Sequence, residues 1–344
     1  MLPRERVFQA LDFDRPDVIP VEYHASPAGF YEHGEKLHAL WERYPGDFAD
    51  NRLFPHARPD PKWVDAQGRY RETRRDEWGV LWKFLIFGVA GHPLERPLDD
   101  WANFATYTAP PVPASSGEAF ERDRARAAEH QRTWFHKSGF IGIFEVMTAV
   151  RRFENVLMEI AEDTVEINRL ADLIVDYQAR RVEYLLARGV DAVQFADDFG
   201  TQTSLIISPG VWRRFFQPRY ARLMAPVLQA GKKVFFHTCG QSWGILTGLA
   251  ELGVHAIWPQ INVYNEKELA KRCRSIRLAL AVHPDRGDLM ARSTPERVCQ
   301  EVHRLAEVFQ LADGGGWFYI EIDSGFPWEN VVALTETVGR LRGL

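Results

Sequence analysis

The residues with the most chemistry to offer stand two apart in the stretch from Gly231 to Gly240: His237 and Cys239. Gly231 suits the end of a helix, and Val234, Phe235 and Phe236 read as a short buried strand. Side chains alternate across a strand, so His237 and Cys239 share a face where that strand ends. A neutral imidazole and a thiolate on one face are two ligands for a borderline-soft metal such as zinc, whose catalytic sites take a third protein ligand. The competing reading is a core thiol beside a histidine bonded to a backbone carbonyl.

Other polar residues close other apolar runs. Glu22 and His24 share a face at the end of Val18 to His24, Glu145 ends Gly139 to Glu145, and Asp197 and Asp198 end Gly189 to Asp198. Glu321 and Asp323 alternate at the end of the run from Trp317 to Ile322. Adjacent carboxylates point opposite ways from a strand, so one of Asp197 and Asp198 serves a site while the other caps the following turn. If both face one cavity, each raises the other's pKa, which suits general acid work. Gln260 and Asn262, after the strand ending at Trp258, can hydrogen-bond a polar ligand. Asp285 and Arg286 follow another strand and either contact substrate or form a salt-bridged loop.

The elements that carry these residues alternate. Helices are expected over Phe153 to Ala161, Val165 to Arg188, a Ser208-Pro209 start, Trp243 to Leu252, Glu266 to Arg274, Thr294 to Leu311 and Trp328 to Leu341. Strands fall between them, and connections of this kind demand a parallel sheet. Counting Val18 to His24 first and Phe48 to Phe54 second, eight strands can be placed. The fold class is α/β, and its natural closure is a (β/α)8 TIM barrel: one domain over residues 1–344, with an insertion or lid over residues 55–135 after the second strand. Within that insertion, Asp76 to Lys83 reads as a hairpin strand and Glu118 to Gln131 as a polar helix. Polar strand ends on five strands then gather at one mouth, where barrels build active sites.

Composition narrows the partners. A formal charge of −5 offers no bulk attraction to nucleic acid or anionic membrane. Three widely spaced cysteines make no disulfide framework, and no apolar run is long enough to span a bilayer. With the charged N-terminus, these features predict a cytoplasmic protein acting on a small molecule. A homodimer is compatible with barrels of this kind.

Several motifs carry a resemblance over most of the chain: the opening Asp-Arg-Pro-Asp-Val-Ile-Pro, Asp76-Glu-Trp-Gly79, Phe144-Glu145 and Asp197-Asp-Phe-Gly-Thr-Gln202. Ile207-Ser-Pro209, Lys233 to Gly240 and Pro327-Trp-Glu-Asn-Val331 continue it. Together they resemble the uroporphyrinogen decarboxylase superfamily, which includes that decarboxylase and the methylcobamide-dependent methyltransferases. The resemblance implies a barrel. It also implies, for the methyltransferase branch, zinc held by a His-x-Cys pair and a later cysteine, with a corrinoid as methyl donor or acceptor and a corrinoid protein as partner.

Two departures bear on activity. The decarboxylase follows its first strand with an arginine-rich segment that grips carboxylates, whereas residues 24–34 here hold no arginine or lysine. Buried anions need cationic partners, so porphyrinogen decarboxylation is not expected. The later cysteine is replaced by Glu321-Ile-Asp-Ser324, so the expected metal ligands are His237, Cys239 and a carboxylate, from Glu321 or Asp323, with Glu145 as another choice. Three readings follow: a zinc-dependent methyltransferase, a metal-independent decarboxylase or lyase with Asp197, Asp198 or Glu145 moving the proton, and a non-catalytic ligand- or corrinoid-binding barrel.

Overall fold

Apolar, β-branched and aromatic runs of four to seven residues become the strands of one curled parallel sheet. The computed structural model describes every residue except Arg52, Leu53, Pro55 and His56. The strands in chain order are β1 (Val21–Ala25), β2 (Glu72–Arg75), β3 (Leu81–Phe84), β4 (His92–Glu95) and β5 (Lys137–Ile141). They continue with β6 (Ala192–Ala196), β7 (Lys233–Thr238), β8 (Ala256–Pro259), β9 (Ala279–Val282) and β10 (Gly316–Ile322). The main sheet runs β1-β10-β9-β8-β7-β6-β5, and β2-β3-β4 form a separate antiparallel sheet. Helices cross between successive parallel strands, as βαβ geometry requires.

Among the described residues, the main sheet has seven strands and none at the eighth barrel place. Asp47 to Ala49 form bends, and part of the expected strand from Phe48 to Phe54 lies outside the described residues. The segment nonetheless bridges the two sheet edges. The Asp47 N–H donates to the Val21 carbonyl at 2.8 Å, and the Phe135 N–H donates to the Asp47 carbonyl at 3.1 Å. The Asp47 carboxylate, fully buried, accepts from the Val21 N–H at 2.8 Å and from Arg342 at 2.9 Å, and it also pairs with Arg6. The backbone and side-chain bonds of Asp47 thus do work beside β1 that a strand ladder would do.

Inside the sheet, alternation puts Ala192, Phe235, Ala256, Ala279, Trp317 and Tyr319 into one interior cluster. Val7 and Leu11, from the helix Pro3–Leu11, join that cluster and plug the N-terminal end. Above the plug, Lys137 pairs with Glu22 at 2.6 Å, and Trp317 Nε1 donates to the same carboxylate at 3.1 Å. The opposite faces of the strands, including Val193, Phe195, Val234, Phe236 and Ile257, pack beneath the helices.

The small sheet lies against an outer helix. Trp78 packs edge-on against Tyr177 of the helix Val165–Arg188, with ring centroids 4.8 Å apart. Asp76 shapes the β2–β3 turn by accepting from the Val80 N–H at 2.9 Å and Trp82 Nε1 at 2.7 Å. The loop after β3 reaches the mouth side through the Phe87–Tyr31 ring contact at 6.1 Å. Among the described residues, no helix is long and apolar enough to cross a membrane.

Candidate metal and active site

Strands β6 and β7 are neighbours in register, with Ala196 opposite His237. Two residues beyond each, the inward parity repeats, so Asp198 and Cys239 arrive side by side. The ligand atoms of Asp198, His237 and Cys239 lie within 4.8 Å of one another. His237 Nε2 stands 3.5 Å from Cys239 Sγ and 3.5 Å from Asp198 Oδ1. The other ring nitrogen, Nδ1, lies 2.9 Å from the Trp258 carbonyl oxygen. A carbonyl only accepts, so Nδ1 carries the proton and Nε2 presents its lone pair to the thiol and the carboxylate.

That tautomer separates two chemistries. In a nucleophilic triad the carboxylate orients one ring nitrogen while the other faces the nucleophile. Here the thiol and the carboxylate face the same nitrogen, so nitrogen, sulfur and oxygen converge on one point. That is the donor set of a three-ligand zinc site with a fourth position left for substrate. The Trp258 carbonyl supplies the outer hydrogen bond that fixes a ligating imidazole. Burial lowers His237 to about 4 and raises the Cys239 thiol to about 12, with the Asp198 charge acting next in each case. The bare cluster therefore holds a neutral imidazole and a neutral thiol, and a bound dication would stabilise the thiolate.

Glu321 and Asp323, the carboxylates expected to complete the metal shell, are engaged elsewhere. Arg286 Nη1 pairs with Glu321 and lies 3.4 Å from Asp323. Glu321 also stands 4.0 Å from His24 Nε2. Burial raises Glu321 to about 7 despite Arg286, and burial also lowers His24. Strand adjacency is why Asp198, and neither Glu321 nor Asp323, lies beside His237 and Cys239: β6 touches β7, whereas β10 is three places away. Consecutive parallel strands tend to be neighbours, so chain order alone held the signal for Asp198.

A cavity of about 390 Å³ opens onto this cluster, lined by His237, Cys239, Trp258, Gln260, Asn262 and Arg286 among others. Asp285 and His283 lie in the same wall. Asp285 accepts from Asn262 at 2.8 Å and from the Leu289 N–H at 3.1 Å, so it shapes the loop as well as facing the cavity. Trp258 and His283 carried no expectation from sequence. Trp258 lies with its ring 4.0 Å from the His237 ring, and its place at the end of an apolar strand disguised it as core. A larger cavity, about 550 Å³, sits between Arg15 to Ile19 and the helix Pro295–Val308, at the opposite end of β1. The smaller one opens onto His237 and Cys239.

Asp197 and Glu145 divide differently from expectation. Asp197 is fully buried and turned outward, where it accepts the N–H groups of Ile143 (2.7 Å), Phe144 (2.9 Å) and Glu145 (2.7 Å) and the Tyr220 hydroxyl. It caps the helix Phe144–Val150 from a neighbouring strand instead of facing substrate. Glu145 stands in the first turn of that helix, not at a strand end, because β5 stops at Ile141. It is exposed at the mouth, and crowding by surrounding protein, followed by the charges of Asp197 and Asp198, raises it to about 7.

The sequence profile of the uroporphyrinogen decarboxylase (URO-D) family matches residues 137–341, more than half of the chain. The chain belongs to the URO-D family. No curated protein matches it significantly. Among solved structures, a methyltransferase from Methanosarcina mazei superposes with a TM-score of 0.63 at 16% identity, over 99% of each chain. A B12-independent methionine synthase from a Shewanella species aligns at 12% identity over 90% of this chain and 86% of that one, with a TM-score of 0.48. At such identities the likeness to the methyltransferase is one of fold, and it agrees with the URO-D barrel described above. The matched region begins with β5 and therefore includes Glu145, Asp198, His237 and Cys239.

Proposed function

We propose that this URO-D family member is a zinc-dependent methyltransferase, moving a methyl group between a methylated small molecule or a corrinoid and an acceptor. The observation that carries the reading is the convergence of Asp198 and Cys239 on the one free nitrogen of His237. Bound there, zinc would supply Lewis acidity toward a substrate oxygen or would hold a substrate thiol as its thiolate. Asp198, His237 and Cys239 would hold the ion, and the Trp258 carbonyl keeps the imidazole in the tautomer that ligation needs. Gln260, Asn262, Asp285 and Arg286 border the cavity where substrate would lie. Where the group leaving the methyl carbon is an oxygen or nitrogen anion, Glu145 is poised to give it a proton. A methyl corrinoid as donor needs no such proton, and its carrier protein is then the partner.

A second reading rests on Glu145 itself. A carboxyl near 7 beside two other carboxylates could protonate a carbanion in a small-acid lyase without metal. Porphyrinogen is not its substrate, because the segment from Ala25 to Gly34, at the end of β1 and through the helix Pro27–His33, holds no arginine or lysine. Elemental mass spectrometry of the purified chain, with Cys239→Ser and Asp198→Asn alongside, separates the two. Near-stoichiometric zinc that is lost from both variants is the expected result. A wild-type chain that takes up no metal after reconstitution under reducing conditions leaves the lyase as the better reading.

A further inference from the structure

The loops that bring Asp198 and Cys239 together touch at two glycines. A Cβ placed on Gly200 would lie 2.4 Å from the Gly240 carbonyl carbon and 2.7 Å from the Cys239 carbonyl oxygen. One placed on Gly240 would lie 2.3 Å from the Gly200 carbonyl carbon. Such separations do not occur between real Cβ atoms and backbone, so the approach demands glycine on both loops. Hydrogen bonds then fasten the contact. The Gly200 N–H donates to the Cys239 carbonyl at 3.1 Å, and the Gln241 N–H donates to the Thr201 carbonyl at 2.7 Å. The Cys239 N–H donates to Asp198 Oδ1 at 2.8 Å. The next amide, Gly240 N–H, donates to Gln260 Oε1 at 3.1 Å. Gln260 is itself held by Gln202 through two reciprocal amide bonds of 3.2 Å.

Gln260 therefore does different work from the substrate contact expected of it. Its carbonyl is occupied by the cysteine loop, and its amide by Gln202, which lies on the loop carrying Asp198. We propose that Gly200 and Gln260 are positioning residues that hold the Asp198 and Cys239 loops at metal-binding separation before any ion arrives. This rests on the zinc reading of the site. Ligands fixed in advance spare the ordering that binding would otherwise cost, and outer-shell contacts of this kind change metal affinity by about 10–100-fold when removed. Gly200 is the better probe of the two because its φ lies outside the left-handed region, so alanine there acts only by forcing the two loops apart.

The test uses the full chain, stripped of metal, with zinc affinity measured by competition against a chromogenic chelator. The cobalt-substituted protein gives a thiolate-to-cobalt absorption band as a second readout, and melting without metal reports on the fold. Gly200→Ala and Gln260→Leu are expected to weaken zinc binding by about 10–100-fold and to shift the cobalt band. Gln260→Glu keeps an acceptor for the Gly240 N–H but loses the bond donated to Gln202, and its affinity is expected to fall between wild type and Gln260→Leu. Unchanged affinity in Gly200→Ala and Gln260→Leu, with or without a loss of melting temperature, overturns the proposal, because the contact is then structural only. Equal losses in Gln260→Leu and Gln260→Glu also overturn it, since the bond to Gly240 would not be the link. A wild-type chain that melts normally yet binds neither zinc nor cobalt removes the metal reading itself, a result distinct from either.

Discussion

At the scale of single residues, the site turns on which carboxylates stay charged. Glu145 and Glu321 are both raised to about 7, Glu321 by burial and Glu145, exposed at the mouth, by the crowding of surrounding protein. Glu321 keeps Arg286 against it, whereas the charges nearest Glu145 are the like charges of Asp197 and Asp198. Near neutral pH a good part of Glu145 is protonated and able to donate. If it serves as the acid in methyl transfer from a small-molecule donor, the active form is the protonated one, so the rate is expected to fall as pH rises through about 7. Glu145→Gln cannot donate a proton, so it should lower kcat by about 10²–10⁴-fold and flatten that limb of the pH profile. A variant that keeps both the rate and the limb would remove Glu145 from the chemistry. Sequence alone marked His237, Cys239 and Asp198 as chemistry-bearing, because side-chain parity is set by local geometry. It offered Glu321 for the metal because residues at different strand ends look alike until the order of strands around the mouth is used.

At the scale of elements, one buried carboxylate ties β6 to two helices. Asp197 collects three backbone N–H groups at the start of the helix Phe144–Val150 and the Tyr220 hydroxyl from the helix Gln217–Gln229. Those N–H groups have no partner within their own helix, so the carboxylate meets a need the helix cannot meet. Its pKa is nevertheless raised to about 6, since burial outweighs the donors. Asp197→Ala should cost on the order of 3 kcal/mol, because it strands buried donors that were bonded to a charged group. Tyr220→Phe removes one bond and should cost about 1 kcal/mol. Urea unfolding midpoints check both, and equal small effects would contradict the capping role. The helix itself was hidden in the sequence. Gly139 to Glu145 reads as one apolar strand, but Gly139 takes a φ of +101° and the pairing with β6 shifts register between Ser138 and Ile141. The glycine marks a bulge inside β5, which stops at Ile141, and Glu145 falls in the helix that follows.

At the scale of the whole molecule, alternating strands and helices made the barrel legible, because a parallel sheet needs its crossovers and the crossovers are long amphipathic runs. The seam was not legible. Closure beside β1 depends on one aspartate exchanging bonds with residues far along the chain, and such pairing leaves no periodic trace. Asp47 joins Arg6 near the start of the chain, Arg342 near its end and the Val21 N–H of the first strand. Arg342 is 7% exposed, so its guanidinium has little water to fall back on. Removing Asp47 leaves that charge buried without its partner, an arrangement that typically costs about 3–5 kcal/mol. Asp47→Ala should therefore lower the urea midpoint far more than a surface aspartate such as Asp288→Ala does. The pair also predicts coupling: Arg342→Ala added to Asp47→Ala should cost less than the two single changes summed, since neither charge is then stranded. Strict additivity in that double-mutant cycle would mean the seam is held by the backbone bonds of Asp47 alone, and that the ion pair across the termini contributes nothing to closing the barrel.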